Sequence, residues 1–439
     1  MKALLAITVG FLLSIHAHGQ TWVRTYHDSL QTRINEEYQI LEGDSSLVHG
    51  PYAKYHVNGA LAIRGQFEKG IKYGTFEEFY PDSTALRTTN FKDGKRHGLV
   101  KAFAQNGKLI QEVHFQQDTI QGDLITYFDD GTVKSKAHFA HGKPDGLIVE
   151  YHPGGNLKSE IIYARGKPNG ISKKYYPNGQ LRSEANYTDG LVNGFFKTYY
   201  QNGQLDTESQ LESGKKSGVF RTYNKTGQLI QEGNYLDGML NGPNKAYYPS
   251  GALKHQYDYE VGKRKGENYQ YYPDGTVKSK AVYQQMEKDS KITEYHPTGT
   301  VSVEKVHKNG KPFGRWKYFH TNQELQSLEE YQEGKIQSRV TFDSLGRKHS
   351  EEPFLQGLTH GIVRTYHPQG QIASETDYKL GKKTGPFQRF FAQGQVEIKG
   401  KYLKDKEIGV WEYFNESGIL VKKVTFNRGK IENEELFEQ

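Results

Sequence analysis

The sequence predicts an all-β fold: an elongated array of about sixteen 24-residue β-hairpins forming a twisted antiparallel meander sheet. Three observations predict it. An aromatic residue recurs ahead of a turn sixteen times, and the turn glycines, Gly179 and Gly203 among them, fall 24 residues apart from Gly107 to Gly299. Between the turns run short segments rich in β-branched and aromatic residues with period-two alternation. A fixed period of this length marks a repeat array, in which each unit contacts mainly its neighbours.

Residues 170–194 serve as the type unit. The stretch 171–176 reads as a first strand. Pro177-Asn178-Gly179 reads as a three-residue loop in which Pro presets φ and Gly takes the left-handed position. The stretch 180–187 is the second strand, with Leu181, Ser183, Ala185 and Tyr187 expected on one face and Arg182, Glu184 and Asn186 on the other. Closing the loop sets Tyr175 opposite Leu181. Such cross-strand pairs contribute about 0.2–1 kcal/mol each, and their repetition is expected to form the core. The same pairing is expected for Tyr151 with Leu157, Tyr199 with Leu205, Tyr223 with Leu229 and Tyr247 with Leu253, with Tyr271 in the same aromatic slot. A second turn holds the glycine pair Gly190 and Gly194, and Asn193-Gly194 is the expected reversing dipeptide. A second ring position, three residues before the aromatic slot, holds Phe76, Phe196, Phe220, Trp316, Phe387 and Trp411, which places rings on both faces. In the glycine slot of the first turn, Ser83 and Gln323 are the exceptions. Sixteen such hairpins in one sheet would extend for roughly 150 Å.

The flanks differ from the array. Lys2, the apolar run 3–15 and Ala17-His18-Gly19 read as a signal peptide, 1–19, cleaved after Gly19. The mature protein is then exported, periplasmic or secreted, with no stable membrane insertion after cleavage. Residues 20–49 read as an N-terminal cap or degenerate repeat, 50–429 as the hairpin array, and 430–439 as an acidic C-terminal tail.

Composition narrows the function classes. There are no cysteines, so disulfides, thiolate metal sites and thiol catalysis are excluded. The net charge of +7 comes from 58 basic and 51 acidic residues, a mixed surface without the basic run of a nucleic-acid groove. Mean hydropathy is −0.81, low for a chain with a thick core.

The candidate chemistry is thin. Gly381-Lys382-Lys383-Thr384-Gly385 looks like the end of a phosphate loop, but Thr376 stands where the upstream glycine belongs, and the segment coincides with the second turn. His56, His152, His296, His320 and His367 share one slot at the hairpin turn, where a polar ring suffices as explanation. Asp129-Asp130-Gly131 lacks the rest of a calcium loop. Glu112, Glu160, Glu184, Glu208, Glu232, Glu304 and Glu375 form one column opposite Lys101, Lys173, Lys197, Arg221 and Lys245, a solvated charge ladder. No catalytic, cofactor-binding or metal residues are therefore assigned, and no cofactor is expected.

The units at 175–194 and 199–218 resemble MORN repeats in their bacterial variant form, which reads roughly aromatic-aromatic-Pro-Asn-Gly-x-Leu, then Glu, Tyr and a glycine pair. The resemblance covers about residues 50–429. It implies a β-hairpin repeat architecture and roles as scaffolds, dimerisation modules or membrane-associated platforms; many bacterial members carry the label YwqK-type antitoxin. The expected function is a non-enzymatic exported scaffold binding a protein or cell-envelope partner and no nucleic acid. The alternatives are cell-wall or glycan binding through aromatic columns, and antitoxin or immunity-type neutralisation of a toxin.

Overall fold

The computed structural model describes residues 20–41 and 44–438; the expected signal peptide, 1–19, lies outside them. The described residues form 42 β-strands, no helix, and only antiparallel pairings between strands close in sequence. They divide into two compact units, the first reaching residue 216 with 225–227, the second comprising 217–224 and 228–439. Each is a meander of hairpins, as the repeat predicts.

The first turn forms as expected. Tyr175 stands opposite Leu181. The amide of Gly179 donates to the Tyr176 carbonyl at 2.9 Å, and that of Tyr176 to the Gln180 carbonyl at 2.8 Å. Gly179 and Gly203 have φ of 85° and 86°, the left-handed position that glycine takes without strain. Ser83 and Gln323 hold the same conformation at 68° and 71°.

Two local expectations are corrected. Lys174 pairs with Ser183 and Tyr175 with Leu181, so Arg182 is an unpaired bulge residue. The extra residue reverses the alternation, and Leu181 shares the face of Glu184 and Tyr175 rather than that of Ser183, Ala185 and Tyr187. The same shift recurs beside Tyr151, Tyr199, Tyr223, Tyr247 and Tyr271. At the second turn the chain reverses at Asp189-Gly190, not at Asn193-Gly194: Thr188 pairs with Leu191, and both turn residues have positive φ, 49° and 90°. That is a two-residue hairpin loop whose twist suits the flanking strands. Gly194, at φ 107°, sits in a second bulge, where the register shifts between Ala185 and Tyr187.

The bulge also relocates the core. The Tyr175–Leu181 pair exists, but the most buried side chains lie on the opposite face. Ala185 and its partner Ser172 are 4% and 6% exposed, and Val424 opposite Trp411 is 2% exposed. This ring face combines the slot of Phe76 with that of Tyr187. In the first unit Tyr52, Phe67, Phe76 and Phe91 form a zigzag of edge-on contacts with centroids 5.4, 5.4 and 5.1 Å apart. In the second, Phe387, Tyr402, Trp411 and Phe426 do the same at 5.6, 5.0 and 5.9 Å. Rings of the second slot fill between rings of the first, and Phe387 and Trp411, like positions in successive repeats expected to lie too far apart to touch, also meet directly with centroids 5.3 Å apart. Rings do therefore occupy both faces, as the spacing indicates.

Ring size is matched across the strand pair. Phe220 faces Gly233, and Phe387 faces Gly400. Beside Phe76, a Cβ added at Gly65 would lie 2.5 Å from the Phe76 ring. These glycines are kept by space rather than by φ.

The ends are paired too. Gln20–Tyr26 and Ile34–Leu41 form a hairpin, and His27 Nε2 donates to the Tyr55 carbonyl at 2.9 Å. The segment expected as an acidic tail is a strand through most of its length: Lys430–Leu436 pairs with Leu420–Asn427, because the turn Arg428-Gly429 repeats the Asp189-Gly190 reversal. Its fully exposed residues carry Glu432, Glu434 and Glu435, charges that blunt a sheet edge.

Gly65→Ala is expected to destabilise the protein by about 1–3 kcal/mol through overpacking against Phe76, whereas Gly65→Ala combined with Phe76→Leu recovers part of that loss. Urea unfolding of the three variants measures it; an additive double variant would disprove the size matching.

Candidate binding surfaces

The ladder face is built from the glutamate column. Lys101 and Glu112 approach to 3.1 Å, Lys317 and Glu304 to 3.3 Å, and Arg364 and Glu375 to 2.7 Å. These pairs are partly exposed, and each is worth little by itself. The column has a second role that the sequence reading missed. Tyr175 Oη donates to Glu160 at 2.7 Å, Tyr199 to Glu184 at 2.9 Å and Tyr247 to Glu232 at 2.8 Å, each tyrosine reaching back to the preceding repeat. Tyr127 and Tyr366 do the same with Glu112 and Glu351. A fifteen-residue Tyr–Glu spacing was the available signal. Burial, followed by the hydrogen bond to the carboxylate, pushes the phenols of Tyr175, Tyr199 and Tyr247 up to about 12. Tyr151, Tyr223 and Tyr271 hold the same register opposite Leu157, Leu229 and Val277, as Tyr199 does opposite Leu205. In the first unit, this face carries exposed aliphatics: Leu147 and its partner Ile162, then Ile171 one repeat later, 48%, 39% and 46% exposed.

The rim of first turns explains the histidines. Nε2 of His56, His152, His296, His320 and His367 each lies 2.8–3.3 Å from a backbone carbonyl of the next repeat, at Phe79, Tyr175, Phe319, Phe342 and Phe390. A carbonyl only accepts, so Nε2 carries the proton. Tyr176 and Tyr248, in the same slot, donate to the carbonyls of Tyr199 and Tyr271, both at 2.8 Å. The turn asparagines add a second bond, as from Asn178 Nδ2 to the Gln201 carbonyl at 3.2 Å. Histidine and tyrosine are equivalent in this slot because each offers one ring donor, while Ala104, Phe128 and Phe391 occupy it without one.

The rim of second turns is stitched by backbone. The amide of Gly190 donates to the Pro168 carbonyl of the preceding turn at 2.8 Å, and that of Gly214 to Val192 at 2.9 Å. Asn193, beside Gly194, accepts from the Ser213 amide at 3.3 Å through its side chain. The phosphate-loop look-alike belongs here: Leu380-Gly381 is a reversing turn, and Lys383 donates its amide to Asp405 at 2.8 Å.

The ring face opens beside Asn268, in one of the slots that hold no ring. Asn244 and Asn268 replace Phe in that slot, and a cavity of about 440 Å³ is lined by Tyr257, Arg264, Asn268, Gln270, Tyr283 and Glu294. Arg264 pairs with Glu287 at 2.7 Å and lies over the Tyr283 ring at 4.4 Å. Asn268 is 2% exposed and donates to the Lys265 carbonyl at 2.8 Å. Gln270 donates to Tyr257 Oη at 2.6 Å.

Among the described residues no cluster of three or more histidine, aspartate or glutamate side chains is placed to hold a metal. Asp130, read as a calcium hint, accepts from the Thr132 amide and hydroxyl at 2.9 and 2.6 Å, a side-chain cap on its own turn.

Seven stretches, 96–117, 144–164, 168–189, 216–237, 264–285, 359–380 and 407–428, match the family model described as MORN repeat variant. Seven of the chain's repeats are thus MORN repeat variants. Most matched stretches run from one second turn to the next, so the family's unit is the hairpin framed by its two reversals. No curated protein matches the chain. Solved chains with similarity include the TcdB2-TccC3 complex with Cdc42, at 11% identity and TM-score 0.14, covering 92% of this chain and 28% of that one. Another is the Photorhabdus luminescens Tc holotoxin pore with a mutated TccC3, at 12% identity and TM-score 0.12, covering 93% and 30%. The chain spans less than a third of either, and TM-scores this low carry no argument.

His367→Tyr is expected to leave stability unchanged, while His367→Phe costs about 0.5–1.5 kcal/mol by leaving the Phe390 carbonyl without its donor; denaturant midpoints decide between them. Because a phenol held above its unfolded value of 10 keeps its proton longer in the folded state, stability is full below pH 10 and falls as pH rises toward 12. Alkaline titration followed by phenolate absorbance and circular dichroism should show ionisation and strand loss together in that window.

Proposed function

We propose that the chain is a non-enzymatic, exported repeat protein that binds a protein partner and acts as a scaffold. One observation carries this reading: the same surface chemistry recurs at constant register along each unit, while the recurring tyrosine hydroxyls, glutamates and turn histidines are engaged with neighbouring repeats rather than converging on a reacting centre. The exposed aliphatics Leu147, Ile162 and Ile171, set among paired charges on the ladder face, supply the apolar patch a protein partner would cover. Export rests on the pattern of residues 1–19.

A second reading is glycan binding. It is favoured by the polar cavity beside Tyr257, Asn268 and Gln270, whose mixture of phenol, amide and guanidinium groups suits a sugar. The antitoxin-like role associated with the family requires a target outside the cytoplasm if the chain is exported.

Affinity capture from an envelope fraction is expected to recover a protein with the native chain and much less with Leu147→Glu/Ile171→Glu. Recovery of no protein, together with co-sedimentation with purified cell wall, would replace the first reading with the second. Recovery of a toxin would turn it to immunity. N-terminal sequencing of the mature chain should begin at Gln20.

A further inference from the structure

We propose that the row of second turns in the second unit is a docking site for a linear anionic polysaccharide of the polyuronate type. The proposal extends the binding-platform reading to a separate surface and a different partner chemistry.

The near-neutral composition hides an asymmetry between the two rims. Immediately after the reversing pair, the second turn carries lysine in ten of the sixteen repeats of the chain, and an acidic residue only once, at Glu287. In a chain with 58 basic and 51 acidic residues, a mixed surface would place both signs there. The second unit has six of these lysines, Lys263, Lys311, Lys335, Lys382, Lys406 and Lys430, and all six are exposed. None of the six forms an ion pair with a carboxylate among the described residues, whereas the ladder lysines Lys317 and Lys399 are paired with Glu304 and Glu412. Of the acids beside them, Glu287 pairs with Arg264 and Asp405 accepts from the amide of Lys383, while Glu333 and Glu407 flank Lys335 and Lys406 without forming an ion pair with them.

Packing accounts for a stem at this slot but not for its charge. The slot residue lies against the glycine of the following turn: a Cβ at Gly334 would stand 3.3 Å from Lys311 Cβ, and one at Gly429 would stand 3.7 Å from Lys406 Cβ. Met239 and Leu358 fill the same slot with a stem alone. Lysine satisfies that contact and adds an ammonium beyond it.

The arrangement is a line rather than a patch. Consecutive second turns are two strands apart, ~10 Å, and Lys382, Lys406 and Lys430 occupy three in succession. One exposed ammonium gains little, but charges in series act together on a ligand that spans them. A flexible chain of acidic sugars, with a carboxylate at intervals no longer than a disaccharide, can follow a row that turns with the sheet. A flat bilayer meets only part of such a row, and a rigid duplex less.

Binding of the full chain to polygalacturonate, by isothermal titration at low salt, is expected to be measurable and to weaken steeply with added salt. Lys382→Gln/Lys406→Gln/Lys430→Gln is expected to lower affinity about tenfold, a summed loss of three weak contacts, with an unchanged melting curve. The equal-charge control Lys254→Gln/Lys278→Gln/Lys317→Gln should retain native affinity. Absence of binding, or equal loss in both triple variants, overturns the proposal; so does stronger binding to phosphatidylglycerol vesicles or duplex DNA than to polygalacturonate. Protein capture by the rim variant separates the two ideas: a partner still recovered keeps the scaffold reading whatever the polysaccharide result.

Discussion

The arrangement depends on one constraint: within each unit, a strand has only its neighbours in the meander to bury against. Among the described residues no helix covers either face. The apolar effect must then be obtained along the sheet rather than across a layered core. Rings meet that requirement because they reach from one hairpin to the next, as Phe67 does to Phe76 and Tyr402 to Trp411. The low mean hydropathy follows, since a single layer of rings needs few aliphatic residues behind it.

That constraint also explains why polar contacts between repeats are so regular. Rings on one face fix spacing but not register, because apolar contact is non-directional. Direction comes from three sets of hydrogen bonds. The Tyr175-type hydroxyls bind the preceding glutamate on the ladder face, the histidine and tyrosine donors bind carbonyls along the first-turn rim, and glycine amides bind carbonyls along the second. Each is modest alone at about 0.5–1.5 kcal/mol. In series they favour a single register over one slipped by a residue, which would turn the rings to the opposite face.

Much of this was legible in the sequence. The period, the Pro-Asn-Gly loop and the pairing of Tyr175 with Leu181 follow from residue identity and turn geometry. What escaped was the parity of the second strand. A bulge leaves no residue signature at Arg182, where Lys, Asp or Ile serve in other repeats, so strict alternation put Leu181 on the wrong face and the core with it. The second turn misled for a related reason: Asn193-Gly194 has the composition of a reversal, but its asparagine serves a neighbouring repeat while Asp189-Gly190 turns the chain. The histidine slot was recognised as structural, although its acceptor, a carbonyl 23 residues ahead, is visible only in space.

The same logic separates what the array uses internally from what it leaves outward. At the first-turn rim histidine and tyrosine exchange because both keep the contact to the next repeat's carbonyl. At the second-turn slot the contact is a stem over glycine, and Ile71, Met239 and Leu358 provide it as well as lysine does. Recurrent charge there exceeds what folding needs, and its sign is nearly uniform. Repetition by itself is no sign of function in such a protein; a repeated feature that local packing does not require is.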